Sequence, residues 1–138
     1  MKVGLAVERN GIPVGVRTDA ADVGQPALGE RVLTRLPPAV EVPADVPVVA
    51  DRGLDSDALR DDPAAVGFRL LAPHRRNRTR PRRNDGRRMR RSKRRYVAER
   101  TFGWRHRYRR SLARHEWHAH LYDGFLHLAC ALIAVGKI

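Results

Sequence analysis

Between His74 and Arg110 the chain carries 18 Lys or Arg and only two acids, Asp85 and Glu99. Such a stretch cannot supply its own core. Residues 74–88 include Asn77-Arg78-Thr79-Arg80-Pro81-Arg82-Arg83-Asn84-Asp85-Gly86-Arg87-Arg88, which has too little apolar content to fold alone and reads as a mobile basic loop. Any fold must therefore be built on either side of it. Residues 1–73 carry 8 Lys+Arg against 11 Asp+Glu, a balance of −3; residues 74–138 carry 20 against 4, a balance of +16, giving the net +13. The positive field belongs to the second half, where it attracts polyanions and makes their binding strongly salt-dependent. DNA or RNA is the natural partner. A membrane surface is disfavoured because the run lacks an anchoring apolar face.

With 138 residues the chain is bounded at one small domain or part of one. Val3, Leu5 and Val7 alternate with other residues, Arg9-Asn10-Gly11 supplies turn chemistry, and Ile12, Val14 and Val16 resume the alternation, predicting a hairpin. Leu28, Val32 and Leu36 have helical spacing within residues 27–36, which Pro37-Pro38 stops. Residues 46–50 read as a strand covered on both faces and ending at Asp51; Asp55 or Ser56 can cap a short helix through about Arg60, and residues 68–72 read as another strand. From Met89 to His115 the pattern is helical, with Val97, Thr101, Trp104, Tyr108 and Leu112 as its apolar stripe and Ser92, Arg95, Glu99 and His106 on the opposite side. A last helix over residues 120–135 is apolar nearly all round and is expected to be buried. The order predicts an α/β part (1–73), a basic loop (74–88) and a helical part with Glu99 (89–138).

Asp51 closes a strand at the carboxyl end, where open α/β sheets place their sites. Taken alone it caps or solvates a turn more often than not, and Glu99 alone is a surface acid beside Arg95 at i−4, a contact worth a few tenths of a kcal/mol. Together, beside a polyanion-attracting segment, they suit metal-assisted phosphoryl transfer, in which hard oxygen ligands hold two Mg²⁺ about 3.5–4 Å apart. His115, His118, His120 and His127 lack the H-E-x-x-H spacing and are better explained by capping and packing. Trp104 and Trp117 could stack on bases, but Trp104 lies in the apolar stripe. Cys130, the sole cysteine, reads as a small packed residue. The stretch 125–135 is too short for a bilayer, which needs about 20 residues, and no signal peptide is visible, so no membrane association and a cytoplasmic location are expected.

Val49-Ala50-Asp51-Arg52-Gly53-Leu54-Asp55-Ser56 resembles the second-aspartate motif of the DDE transposases of bacterial insertion sequences that carry a Tyr-Arg-Glu-Lys signature. Arg95-Tyr96-Val97-Ala98-Glu99-Arg100-Thr101-Phe102-Gly103-Trp104 resembles their glutamate motif, and the run from His115 to Leu132 is similar to their usual ending. The resemblance implies a ribonuclease H-like fold, Asp51 and Glu99 as catalytic Mg²⁺ ligands, and DNA bound by Arg75, Arg76, Arg78, Arg80, Arg82, Arg83, Arg87, Arg88, Arg91, Lys93, Arg94 and Arg95. In the signature Y-x2-R-x3-E-x6-K, Arg95 and Glu99 match, the tyrosine position is Ser92 and the lysine position is His106, for which Arg105 or Arg107 could supply the cation.

The family's first aspartate lies on a strand before the opening hairpin, in a segment that would precede Met1. The expected fold is thus an incomplete ribonuclease H-like α/β unit that lacks its first, central strand and the third metal ligand, with a helical C-terminal portion. The expected function is that of a C-terminal transposase piece, poorly stable and catalytically incomplete alone: DNA binding and Mg-dependent strand cleavage and transfer at transposon ends and target once completed by an N-terminal half, the piece being either the second frame of a frameshifted transposase or the product of a decayed gene. A homo-oligomer within the transposition complex is a further expectation. The rival reading is a non-catalytic basic nucleic-acid-binding protein in which both acids are structural.

Overall fold

The computed structural model describes residues 1–37, 40–43, 45–61, 68–83 and 86–137. Pro38, Asn84, Asp85 and the Arg88 side chain, which figure in the expectations above, lie outside the described residues. The α/β class holds. Strand β1 (Lys2–Val7) pairs antiparallel with β2 (Pro13–Asp19), placing Leu5 opposite Val16 and Val3 opposite Thr18. The turn between them has two local causes. Gly11 takes φ +90°, a conformation costly for residues with a Cβ, and the Glu8 carboxylate accepts from the backbone N–H of Asn10 (2.6 Å) and Ile12 (3.1 Å).

Period-two alternation gives the hairpin two different faces. On one face the strands lack bulk, and helix α1 (Gln25–Thr34) closes onto them; a Cβ on Gly4 would lie 2.7 Å from Val32 Cγ2, and one on Gly15 2.8 Å from Leu36 Cδ2. Pro26 stands in the first turn of α1, where its missing N–H costs nothing. On the other face Val3, Leu5 and Val16 pack against Tyr122, Leu126 and Cys130 of helix α5 (Ala119–Val135), and the Thr18 hydroxyl donates to Asp123.

A second core lies around the parallel pair β3 (Val46–Val49) and β4 (Phe68–Leu71), where Ala50, Leu59, Leu70 and Ala72 are buried with Val48 and Leu54 against them. Helix α2 (Asp57–Asp61) supplies Leu59, and its first turn is capped by Ser56, whose hydroxyl accepts from Leu59 N at 3.3 Å. Among the described residues the four strands form two separate two-stranded sheets, β1-β2 and β3-β4. Every residue of β3 is only half-buried, so the expectation of a strand covered on both faces is corrected: among the described residues β4 is the one strand it pairs with.

The predicted helix from Met89 to His115 is corrected to four pieces. Helix α3 (Gly86–Met89) runs into a 3-10 segment (Arg90–Arg95), then helix α4 (Tyr96–Arg105) and a 3-10 turn (Arg109–Ser111). Five of the six residues of the 3-10 segment are Lys or Arg and the sixth is Ser92, which leaves little apolar surface to hold a longer helix. The predicted stripe survives in Val97 and Thr101, which are buried, but Leu112 is half exposed beyond the break. Helix α5 is corrected as well. It buries Tyr122, Leu126, Ala129, Cys130 and Ile133, and leaves Leu121, Leu128, Leu132 and Val135 exposed. No helix among the described residues is long and apolar enough to cross a membrane.

Candidate active site

Asp51 follows β3 and Ala50, whose N–H still donates to Leu71 O at 3.1 Å. The Asp51 carboxylate then accepts from Arg52 N at 2.6 Å and caps the 3-10 turn Arg52–Leu54. That is the bland role foreseen for a lone aspartate, and it fixes the carboxylate at the sheet end. Glu99 lies in the first half of α4, and α4 is held against the hairpin turn by two bonds: buried Thr101 Oγ1 to Gly11 O at 2.8 Å and Arg100 Nη2 to Asn10 O at 3.2 Å.

Arg95 joins the two acids. Its Nη1 donates to Asp51 Oδ1 at 2.9 Å and its Nε to Glu99 Oε1 at 3.2 Å. The side chains of Asp51 and Glu99 are 64% and 63% exposed, so each pair contributes at most about 1 kcal/mol and the carboxylates stay within reach of solvent. Two acids 48 positions apart in sequence therefore converge on one cation.

Around them the sequence-predicted basic residues fall into groups. The expectation of a mobile loop is corrected for residues 74–83, which three aspartates tie down. Asp55, with a side chain only 1% exposed, accepts from Arg60 Nη1 (2.7 Å), Arg78 Nη1 (3.2 Å), His74 Nδ1 (3.1 Å) and the backbone N–H of Arg75 (2.8 Å). Asp57 receives both Arg78 (2.8 Å) and Arg60 (3.3 Å), with Arg80 at 3.6 Å, while Arg83 reaches Asp61 at 2.7 Å. Burial acts to raise the Asp55 carboxyl, but the hydrogen bonds from Arg75 N–H, Arg60 and His74 outweigh it and hold the group well below the usual carboxylate range. The Arg78 guanidinium does the same for Asp57. Arg78 is thus 90% covered and engaged with acids, whereas Arg75, Arg76, Arg82, Arg87, Arg91, Lys93 and Arg94 are exposed.

Sequence reasoning had assigned Asp55 only to capping. The overlooked signal was the spacing Asp55, Asp57, Asp61, three acids just ahead of a run of arginines that needed somewhere to go. Other assignments shift too. Arg105, a suggested stand-in for the signature lysine, is 6% exposed; it donates to Ser111 O and turns away from the solvent side that carries Glu99. His106 is exposed at the end of α4, and the Ser92 hydroxyl donates to Met89 O at 2.6 Å. Trp104 is half-buried, with Arg100 4.9 Å and Lys137 3.8 Å from its ring centroid. The His118 and His120 rings stack at 5.4 Å, and Trp117 is 89% exposed.

The family model for the transposase DDE domain matches residues 1–134, nearly the whole chain. The chain belongs to the transposase DDE domain family. No curated protein and no solved structure matches it. DDE transposases act on DNA and generally use a divalent metal ion. In this DDE domain the donor chemistry suits such an ion, since Asp51 and Glu99 offer hard oxygens and already share one cation. These are two carboxylates; no group of three or more His, Cys, Asp or Glu converges among the described residues.

Proposed function

We propose that this chain is the C-terminal part of a transposase of the bacterial insertion-sequence type with the Tyr-Arg-Glu-Lys signature, acting in DNA strand cleavage and transfer. The observation that carries the reading is the convergence of Asp51 and Glu99 on the Arg95 guanidinium, beside a cationic surface. Asp51 and Glu99 would hold Mg²⁺, which when bound supplies the charge that stabilises attacking and leaving oxygens in an in-line displacement at phosphorus. The chain's own contribution is to place two carboxylates from two elements at one point and to draw a phosphodiester there with Arg75, Arg76, Arg82 and the exposed Arg87, Arg90, Arg91, Lys93 and Arg94. Arg95 then has a second use as a phosphate ligand, because a guanidinium pairs with either anion in the same forked geometry. The division of the strands into two pairs, with β3 half-buried, supports an incomplete sheet that an N-terminal strand would close, bringing the third carboxylate with it. DNA ends and target, a homo-oligomeric transposition complex and a cytoplasmic location follow from the same reading.

A specific observation favours the rival, a non-catalytic nucleic-acid-binding protein: Arg95 pairs with both acids and Asp51 also caps the turn after β3, which gives each acid a structural partner. One experiment separates the two. The native DNA upstream of the first codon is read for an open frame encoding an apolar strand ending in Asp, the two segments are produced together, and cleavage of transposon-end DNA is assayed with Mg²⁺. Loss of cleavage in Asp51→Ala and in Glu99→Ala supports the transposase reading; cleavage that survives either change overturns the assignment of that residue.

A further inference from the structure

The cationic segment divides once its ion pairs are assigned. Arg60, Arg78, Arg80 and Arg83 face Asp55, Asp57 and Asp61, while Arg52, Arg76 and Arg82 pair with no acid among the described residues. These three arginines, together with His74, Arg75, Arg78, Arg80 and Pro81, wall one pocket of about 470 Å³; the Arg75 guanidinium, which also meets no acid among the described residues, donates to Gly53 O at 2.7 Å. The wall is held from behind. Asp55 fixes Arg78 and His74, and the other nitrogen of the His74 ring accepts from Arg83 N at 3.2 Å, so both ring nitrogens are engaged and the imidazole serves as a strut. The Arg78 guanidinium also donates to Pro81 O at 2.9 Å, fixing the far side of the same turn.

The carboxylates beneath offset Arg78 and Arg80 but not Arg52, Arg76 and Arg82, so the concavity keeps a positive field that favours an entering anion. The pocket's chemistry selects which part of a polyanion that is. It has no Trp, Tyr or Phe wall on which a base could stack, and it offers guanidinium forks that match phosphate oxygens. Arg52, one wall of the pocket, is the residue that follows the candidate catalytic Asp51 in the chain.

We propose that this pocket is a phosphate seat: it takes phosphate groups of a nucleic-acid strand through Arg52, Arg76 and Arg82, without reading bases, on a platform set by Asp55, Asp57 and Arg78. The proposal rests on the nucleic-acid reading above and narrows it, separating arginines that hold phosphate from arginines that hold the loop.

The test uses the full chain and fluorescence anisotropy with labelled duplexes of two unrelated sequences, across 50–200 mM salt. The triple variant Arg52→Gln/Arg76→Gln/Arg82→Gln is compared with Arg9→Gln/Arg35→Gln/Arg109→Gln, which removes the same charge from exposed positions outside the basic segment assigned to DNA. Neither set breaks an ion pair among the described residues, and circular dichroism checks that both variants stay folded. The pocket variant is expected to lose affinity equally for both sequences and to reduce the slope of log K against log salt by about 2–3, with less than about 1 for the control. Equal losses in the two triples would overturn the seat and leave general DNA binding standing. No binding by the unaltered chain at 50 mM salt would overturn the DNA reading and the seat together. A loss confined to one sequence would mean base reading and overturn it as well. Duplexes with and without a 5′-phosphate distinguish the source: a pocket-dependent difference assigns the seat to a terminal phosphate, and its absence to internal phosphodiesters.

Discussion

Arg95 and Asp51 stand 44 positions apart in the chain and 2.9 Å apart in space, from Nη1 to Oδ1. This pair ties the segment ahead of α4 to the end of β3, and the same guanidinium reaches Glu99 on its own helix. Because all three side chains are more than 40% exposed, the cluster contributes little to folding. Asp51→Asn and Glu99→Gln should therefore change the urea midpoint by less than the equivalent of about 1 kcal/mol. In the completed enzyme each should lower DNA cleavage by on the order of 10²-fold or more, the scale of losing one charge-stabilising group. A large stability loss in either variant would give the acids a structural role instead.

Asp55 is the opposite case. Asp55→Ala strips the shared partner from Arg60 and Arg78, both about 90% covered, and should destabilise the chain by about 3–5 kcal/mol in urea unfolding. Asp57→Ala, whose carboxylate is more open, should cost less.

Acid sensitivity follows from the same carboxylate. The Asp55 carboxyl is held below its unfolded value, near 3.9 for an ordinary Asp, so its contribution is fully present above that pH and is lost as pH falls toward the folded value. Stability should be flat from neutral pH to about pH 5 and drop steeply below about pH 4, as followed by tryptophan fluorescence. Asp55→Asn should flatten that acid limb.

The position of Glu99 depends on Thr101, whose buried hydroxyl donates to Gly11 O and sits 3.1 Å from Val97 O. Thr101→Val keeps the shape and removes the bond, for an expected loss of about 1 kcal/mol, and Thr101→Ser should recover part of it. Gly11→Ala should cost more than Thr101→Val, because φ +90° is strained for alanine and its Cβ would lie 2.9 Å from Thr101 Oγ1. Urea midpoints of the three variants check the order.

Leu126 is fully covered where α5 meets the hairpin. Leu126→Ala should destabilise by about 2–5 kcal/mol, while Leu128→Ala, on the exposed side of the same helix, should shift thermal unfolding little.

What could be read in the sequence was the short-range part. The hairpin, α1, the two short strands and α5 follow from alternation, helical spacing and turn residues, each a property of neighbouring positions. The two motif acids were legible as candidates for the same reason. Their meeting at Arg95 was not, since a contact across 44 positions leaves no periodic trace. The break of the long helix at residues 90–95 was missed because arginine and lysine have good helix propensity, which says nothing about the apolar face needed to keep a helix in place. The anchoring of residues 74–83 escaped because composition treats an arginine as free charge, whereas Arg78 and Arg83 find their partners twenty or more positions upstream in Asp57 and Asp61. The one-sided burial of α5 was hidden by its composition, which is apolar on both faces.

The three aspartates beneath the basic segment give acidic residues a say in how tightly a polyanion is gripped. Like charges brought together during folding repel, and here that repulsion is met beforehand by carboxylates that no incoming strand needs to touch. Affinity for DNA should then respond to Asp57 and Asp61 with the sign opposite to simple charge counting: removing a negative residue lets the arginines scatter, and the stronger net charge binds less well.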